Sequence, residues 1–313
     1  MFSYLGIDTS NYTTSAALYS SADNYIRQQR RLLPVKDGTL GLRQSDAVFS
    51  HVNQLGGLVE QLFTDTPGPP LAAVGVSVRP RDAQGSYMPC FLVGELAAGC
   101  IAAAAGVPLH RFSHQAGHIM AALYGADKLE LAEKPFLALH ISGGTTDCMM
   151  VRPHKEKVLE VEPLSTSLDL KAGQAVDRVG GMLGLGFPAG PKLDQLARQS
   201  EARFSAKPAF KGDDCCLSGV QNLCSKLKAQ GAPDADVAML CIDYIGKAVD
   251  GMTRRALEKH PGLPVLYCGG VMSNTIIRRR MQQKYGGHFA PPELSSDNGC
   301  GAALLAYYKE VQP

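Results

Sequence analysis

The stretch FLALHISGGTTDCMMVRP, residues 136–153, decides how the chain is organised. Two apolar, β-branched or aliphatic runs flank the turn Ser142-Gly143-Gly144-Thr145-Thr146, and Val158 to Leu164 offers a third run. Alternation of this length around a glycine turn is the signature of a β-hairpin with a following strand. The same design stands at residues 4–20, where YLGIDTS and TSAALYS are joined by the polar turn NYT. The two hairpins are separated by about half of the 313 residues, which implies internal duplication. We therefore expect two domains, residues 1–110 and 111–313, the second with a helical insertion at about 170–260, and a last helix that packs back on the first.

After each hairpin the periodicity changes from two to 3.6. Ser45 reads as an N-cap, and Val48, Val52, Leu55, Val59 and Leu62 then recur on one helical face up to the breaker TPGPP. Residues 71–79 read as a strand, 91–105 as an Ala-rich buried helix, and VPLHRF as a short strand. Helices are expected at 172–183, 192–199, 236–259, 274–284 and 297–309, with PVLYC as a strand between them. This order indicates an α/β protein whose sheets are covered on both faces, with the site in the cleft between its halves.

Composition narrows the functional classes. The chain has 31 basic and 29 acidic side chains, a formal charge of +2, so it carries no broad electrostatic footprint for nucleic acid. Arg278-Arg279-Arg280 is a local basic run that reads as a solvated helix face. Gly is abundant at 33 residues but shows no G-X-Y period, which excludes a collagenous fibre. No apolar stretch reaches the roughly 18 residues needed to cross a bilayer, and the start of the chain lacks a signal-peptide pattern; a cytoplasmic protein is expected. Nine scattered cysteines without a C-x-x-C pair are expected to be reduced thiols, Cys215-Cys216 included.

Three patterns bear on chemistry. Bare glycine turns let backbone N–H groups approach an anion, which makes Ser142 to Thr146, and its counterpart Asp8 to Asn11, candidate phosphate loops. A glycine-rich stretch, residues 184–191, lies between two helices, and Asp177 upstream can accept hydrogen bonds from ribose hydroxyls. Cys268-Gly269-Gly270-Val271 follows a strand and opens a helix, where a nucleotide can pack on backbone. The sharpest pattern is SHQAGH, residues 113–118: on a helix His114 and His118 share one face and can present two imidazoles to one cation. A zinc protease would need Glu after the first His, and Gln115 stands there, so that reading fails. Asp297, at the start of the last helix, completes a set of two histidines and one carboxylate, which suits Fe(II) or Zn(II). His51, His110 and His140 read as structural, and no side chain is singled out as a catalytic acid, base or nucleophile.

Taken together, these pieces resemble the TsaD family of tRNA threonylcarbamoyl transferases, formerly described as O-sialoglycoprotein endopeptidases. GIDTSNYTTSAAL is similar to the family's G-I-E-T-S-C-D-E-T hairpin, SHQAGH to N-H-x-E-G-H, and HISGGTTDC to V-S-G-G-H-T-Q. AVDRVGGMLGLGFPAGPKLDQLA resembles A-F-D-K-x-A-K-L-L-G-L-x-Y-P-G-G-P-x-I-x-x-L-A, while LSGVQN, CGGVMSN and SDNGCGAALLAYY follow in the family's order. The resemblance implies the actin-like ATPase fold. It implies that His114, His118 and Asp297 hold one divalent metal, with Fe(II) ahead of Zn(II). It implies that Ile141, Ser142, Gly143, Gly144, Thr145, Asp177, Gly190 and Asn274 bind ATP or threonylcarbamoyl-AMP. The implied partners are tRNA, TsaB-like and TsaE-like proteins and an adenylate synthase, with no membrane.

The chain also departs from the family. Asn11, Tyr12 and Thr13 replace its Cys and acidic pair, and residues 79–85 (RPRDAQG) replace a G-P-G-L loop. Ala116, Thr145 and Gln221 replace a Glu, a His and a Lys. It reads as a divergent paralogue, for which a non-catalytic nucleotide-binding scaffold, or a small-molecule kinase or carbamoyl transferase on the same fold, are the competing functions. Asp8 and Asp147 would be the candidate bases of a kinase.

Overall fold

A computed structural model describes residues 2–10, 12–34, 42–64, 69–294 and 299–312. In chain order the first elements are β1 (Ser3–Asp8), β2 (Thr13–Ser20), β3 (Tyr25–Leu32), α1 (Gln44–Thr64), β4 (Leu71–Arg79), α2 (Phe91–Ala105), β5 (Leu109–Ser113) and α3 (His114–Gly125). There follow β6 (Phe136–Ile141), β7 (Thr146–His154), β8 (Val158–Thr166), α4 (Ala172–Met182), α5 (Gly190–Ala197), β9 (Ala209–Lys211), β10 (Asp214–Cys216), α6 (Gly219–Ala229) and α7 (Asp234–Lys259). The chain closes with β11 (Val265–Cys268), α8 (Thr275–Tyr285), β12 (His288–Phe289) and α9 (Cys300–Val311).

The chain forms two compact units. The first comprises Met1–Glu133, Arg152–Val161 and Glu293–Pro313; the second comprises Lys134–Val151 and Glu162–Pro292. The two five-stranded sheets have the orders β3-β2-β1-β4-β5 and β12-β11-β6-β7-β8. Read from the other edge, the second repeats the first: an antiparallel hairpin whose first strand pairs in parallel with a later strand. That is the duplication the hairpins imply.

In the first unit α1 and α2 bury Leu55, Leu62, Ala98 and Ala102 against Leu5, Ile7, Val74 and Val76. On the other side α9 lies directly on β1 and β4, because Gly6 and Gly75 carry no side chain there: a Cβ on either would run into the backbone of α9. The same device joins α9 to α3, where a Cβ on Gly301 would strike the carbonyl of Gly117. The glycine this contact needs is Gly301 of α9, since a Cβ on Gly117 would meet its nearest neighbours at 3.9 Å, an ordinary contact. In the second unit Leu137, Leu139 and Ile141 of β6 pack with Val176 and Val179 of α4 and Ile242, Ile245 and Val249 of α7.

The structure corrects several local expectations. α1 begins at Gln44, so Ser45 lies inside the helix and is no cap. Its buried face is Ala47, His51, Leu55, Leu58 and Leu62; Val52, one position and about 100° round from His51, is 61% exposed. β3 has the sequence YIRQQRRL and showed no apolar alternation to mark it, because it is an edge strand with half-buried to exposed side chains. α6 is a further element that the sequence does not mark, and α5 starts at Gly190, two residues before the expected position. Among the described residues no helix is long and apolar enough to cross a membrane.

Candidate functional site

In the first unit the side chains with chemistry gather where β1 ends and α3 begins. His114 is the first residue of α3, and Ser113 caps it by accepting from Ala116 N. The loop that replaces G-P-G-L in this chain supports that cap. Arg79 pairs with Asp82 at 2.6 Å, Asp82 Oδ2 accepts from Ser113 Oγ at 3.2 Å, and Pro80 O accepts from Gln115 N at 3.0 Å. The helical spacing then brings His114 and His118 together, ring centroids 4.2 Å apart and edge to face. Asp8 comes from the far end of the sequence: its Oδ2 lies 2.8 Å from His114 Nδ1, and its Oδ1 accepts from Ser10 N at 2.9 Å. Burial pushes the Asp8 carboxyl up, but His114 and the hydrogen bonds from His114, Ser10 and Ser77 outweigh it and leave it below its ordinary value.

His51 sits beneath the same hairpin, fully buried. Gln54 Nε2 donates to Leu32 O, so its Oε1 faces Thr14 and accepts the one hydroxyl proton at 2.8 Å. Thr14 Oγ1 must then accept from His51 Nδ1, also at 2.8 Å, which leaves His51 Nε2 as a buried lone pair with no partner among the described residues. Burial holds this imidazole neutral, lowering its pKa to about 4 against a small opposing pull from Asp8. His110 pairs with Glu310 at 2.6 Å, and His140 is buried on β6.

The donors of the first unit fit a divalent cation as far as they are described: two imidazoles on one helix face, one of them oriented by a carboxylate. Asp297, the expected third ligand, lies outside the described residues, and among those described no group of three or more His, Cys, Asp or Glu side chains clusters to hold a metal.

The second unit holds a cavity of about 610 Å³. Gly143, Asp177, Gly190 and Asn274 line it together; Ile141, Ser142, Gly144 and Thr145 belong to the adjoining strand and turn but are not among the lining residues. The turn is closed by Ser142 N to Thr145 O at 2.7 Å and Thr145 N to Ser142 Oγ at 3.1 Å. The first amides of α4 are spent on it as well, since Ala172 N donates to Thr146 Oγ1 and Gly173 N to Ser142 O. A Cβ on Gly173 would lie 2.6 Å from Gly143 N and Cα, so glycine is needed for this contact. Gly143 and Gly144 are exposed residues whose N–H groups have no protein acceptor among the described residues, and these are the amides the turn can offer to an anion.

Around the cavity, Asp177 Oδ1 accepts from Ala189 N at 3.0 Å and so anchors the loop before α5. Asn274 Oδ1 accepts from the amides of Ile276 and Ile277, so capping α8 occupies its carbonyl and its Nδ2 group is what it can present to a ligand. Ser273 Oγ is buried without a partner among the described residues and lines the same cavity. Asp194, which the sequence alone did not single out, lines it too, accepting from Thr275 N and Oγ1 at 3.0 Å and joining α5 to α8. Its only sequence signal is a carboxylate one helical turn after Gly190. Asp169, which the sequence alone did not single out either, does not line the cavity; it takes hydrogen bonds from Leu217 N and from Ser218 N and Oγ in the LSG turn. These offset the upward push of burial and hold it at about 2. In the basic run on α8, Arg280 pairs with Asp243 at 2.6 Å and Arg278 lies over the ring of Phe289.

Paired sheets of repeated topology, each with a hairpin turn facing its own polar cluster, define a class that solved structures share. Component A of (R)-2-hydroxyglutaryl-CoA dehydratase from Acidaminococcus fermentans is 15% identical, covers 100% of both chains and gives a TM-score of 0.57. HypF from T. kodakarensis is 10% identical over 98% of this chain and 46% of its own, with a TM-score of 0.61. Full-length HypF in a phosphate- and nucleotide-bound form is 12% identical over 97% of this chain and 54% of its own, with a TM-score of 0.59. The chain thus spans about half the length of HypF, and at these identities the likeness shows the fold alone: the actin-like ATPase fold. Residues 39–304 match the family described as TsaD, tRNA N6-adenosine threonylcarbamoyltransferase, and the chain belongs to that family. Membership supports a transferase function related to tRNA modification or carbamoyl transfer. The first hairpin precedes the matched residues.

Proposed function

We propose that the protein transfers the threonylcarbamoyl group from threonylcarbamoyl-AMP to the exocyclic amine of the adenosine beside the tRNA anticodon. The observation that carries this reading is a family match over residues 39–304 in a chain that keeps both histidines on one face of α3. In the reaction the amine nitrogen forms a bond to the carbamoyl carbon, the bond from that carbon to the phosphate oxygen breaks, AMP leaves, and the amine loses a proton. A divalent cation, Fe(II) or Zn(II), held by His114, His118 and Asp297, would supply Lewis-acid polarisation of the carbamoyl carbonyl. The protein's own residues bind and orient. Gly143 and Gly144 N–H groups receive the phosphate, Asp177 and Asn274 face the nucleoside in the apolar cavity, and α3 is kept rigid by its packing on α9.

A kinase reading has less support, because its first candidate base, Asp8, is committed to His114, and its second, Asp147, accepts from Thr166 Oγ1 at 2.6 Å. With a net charge of only +2 and Arg280 of the α8 run paired with Asp243, the chain would depend on tRNA contacts made jointly with TsaB-like, TsaE-like or adenylate-synthase proteins. A cytoplasmic setting suits its free thiols, several of which burial pushes up to about 12. The test is a reconstituted assay with threonine, bicarbonate, ATP, the adenylate synthase, partner subunits and unmodified tRNA. Modified adenosine is expected; none under any partner combination overturns the reading.

A further inference from the structure

The histidine pair has a third member that the metal motif does not contain. Asp8 ends β1 and is 1% exposed. Each of its carboxylate oxygens has a donor: Oδ1 takes Ser10 N and Oδ2 faces His114 Nδ1 at 2.8 Å, while its main-chain oxygen takes Ser15 Oγ. An ionised carboxylate only accepts, so His114 Nδ1 carries the proton of this bond. An imidazole that gives Nδ1–H to a carboxylate presents Nε2 as its electron-pair donor, with the ring plane set by the same bond. Asp8 is itself immobile: it is the last residue of a strand hydrogen-bonded on both sides, to β2 and β4, and α9 presses on that strand at Gly6.

We propose that Asp8 is a positioning residue for His114, selecting by its Nδ1–H···Oδ2 bond the tautomer and ring orientation in which Nε2 coordinates the divalent cation. The proposal rests on the reading above that a cation binds His114 and His118. It assigns the acidic residue of the first hairpin to the metal site through its neighbour, and leaves the phosphate contacts to the glycine turn of the second unit.

The experiment uses the full-length protein and two probes. In the metal-free wild type at pH 8, long-range proton–nitrogen correlation is expected to show His114 as the Nδ1–H tautomer; an Nε2–H tautomer overturns the proposal without need of any variant. Zn(II) affinity is then measured by competition with a chromophoric chelator, and Co(II) loading by its visible spectrum. Asp8→Ala is expected to bind roughly ten- to a hundredfold more weakly, with Asp8→Asn, which keeps an acceptor oxygen, in between. Unchanged affinity in Asp8→Ala, with wild-type binding abolished by His114→Ala, overturns the proposal alone. Loss of an oxygen ligand from the Co(II) spectrum of Asp8→Asn also overturns it, because Asp8 would then be a ligand. Wild-type binding that does not depend on His114 and His118 overturns the metal reading and the proposal with it. Nucleotide affinity in the second unit controls for folding.

Discussion

The two hairpins share a backbone plan and have parted in chemistry. In β1–β2 the turn is built from side chains: Asp8, Thr9 and Thr14 are buried and engaged with His114, Cys90 O, Gly94 N and Gln54. In β6–β7 the turn is built from backbone, and Gly143 and Gly144 stand exposed. A turn that carries buried carboxylate and hydroxyl groups orients other side chains, whereas one stripped to glycine receives an anion. Duplication supplied one frame, and side-chain content divided it: one copy orients an imidazole, and the other is the one proposed to receive phosphate.

The most forceful way to break this comparison is to remove the imidazoles. The double change His114→Ala, His118→Ala is expected to lower threonylcarbamoyl transfer by at least about a hundredfold, while ATP or AMP affinity, measured by calorimetry, stays within about twofold because the cavity lies in the other unit. An equal fall in nucleotide affinity would show that the two hairpins are not separate in function.

Next in size are the glycine contacts, one per unit. Gly301→Ala drives a methyl group into the backbone of α3, and Gly173→Ala drives one into the turn at Gly143; each is expected to cost roughly 1–3 kcal/mol in denaturant unfolding. Only Gly173→Ala should also weaken nucleotide binding, and only Gly301→Ala should weaken metal binding.

His51 sharpens the contrast through pH. Its folded pKa of about 4 lies below the usual value of 6.5, so between those values the unfolded chain takes up a proton that the folded one refuses. Stability is therefore complete above about pH 6.5 and falls as the pH drops towards 4, by about 3 kcal/mol from this residue. Melting curves of His51→Gln should lose that part of the slope; an unchanged slope would mean the imidazole is hydrated or protonated in the fold. The smallest effect is Val52→Ala, expected to stay within about 0.5 kcal/mol, beside Leu55→Ala at about 2–5 kcal/mol three positions on.

Much of this was legible in the residue order. Hairpins announce themselves because alternation and a glycine turn are local, and the His114, His118 pair because four residues make one helical turn. What escaped has a physical cause in each case. β3 lies at a sheet edge, where polar side chains are tolerated, so its sequence carries no period. Asp194 and Asp169 earn their places through amides on other elements, Thr275 and Ser218, that lie 81 and 49 residues away. Val52 fits a helical stripe as well as His51 does, and only the direction of the sheet decides between them.

By itself the sequence determined the α/β class, the duplicated hairpins, the helix that bears two histidines and the family whose motifs the chain carries, because all of these rest on short-range spacing. Only the tertiary structure decided that Asp8 turns to His114 across 106 residues, that the RPRDAQG loop supports the cap of α3, and that Gly301 lets α9 lie against the backbone of α3. Hydrogen bonds and close backbone contacts between distant segments depend on angstrom-scale placement, and no pattern of neighbours along the chain encodes that.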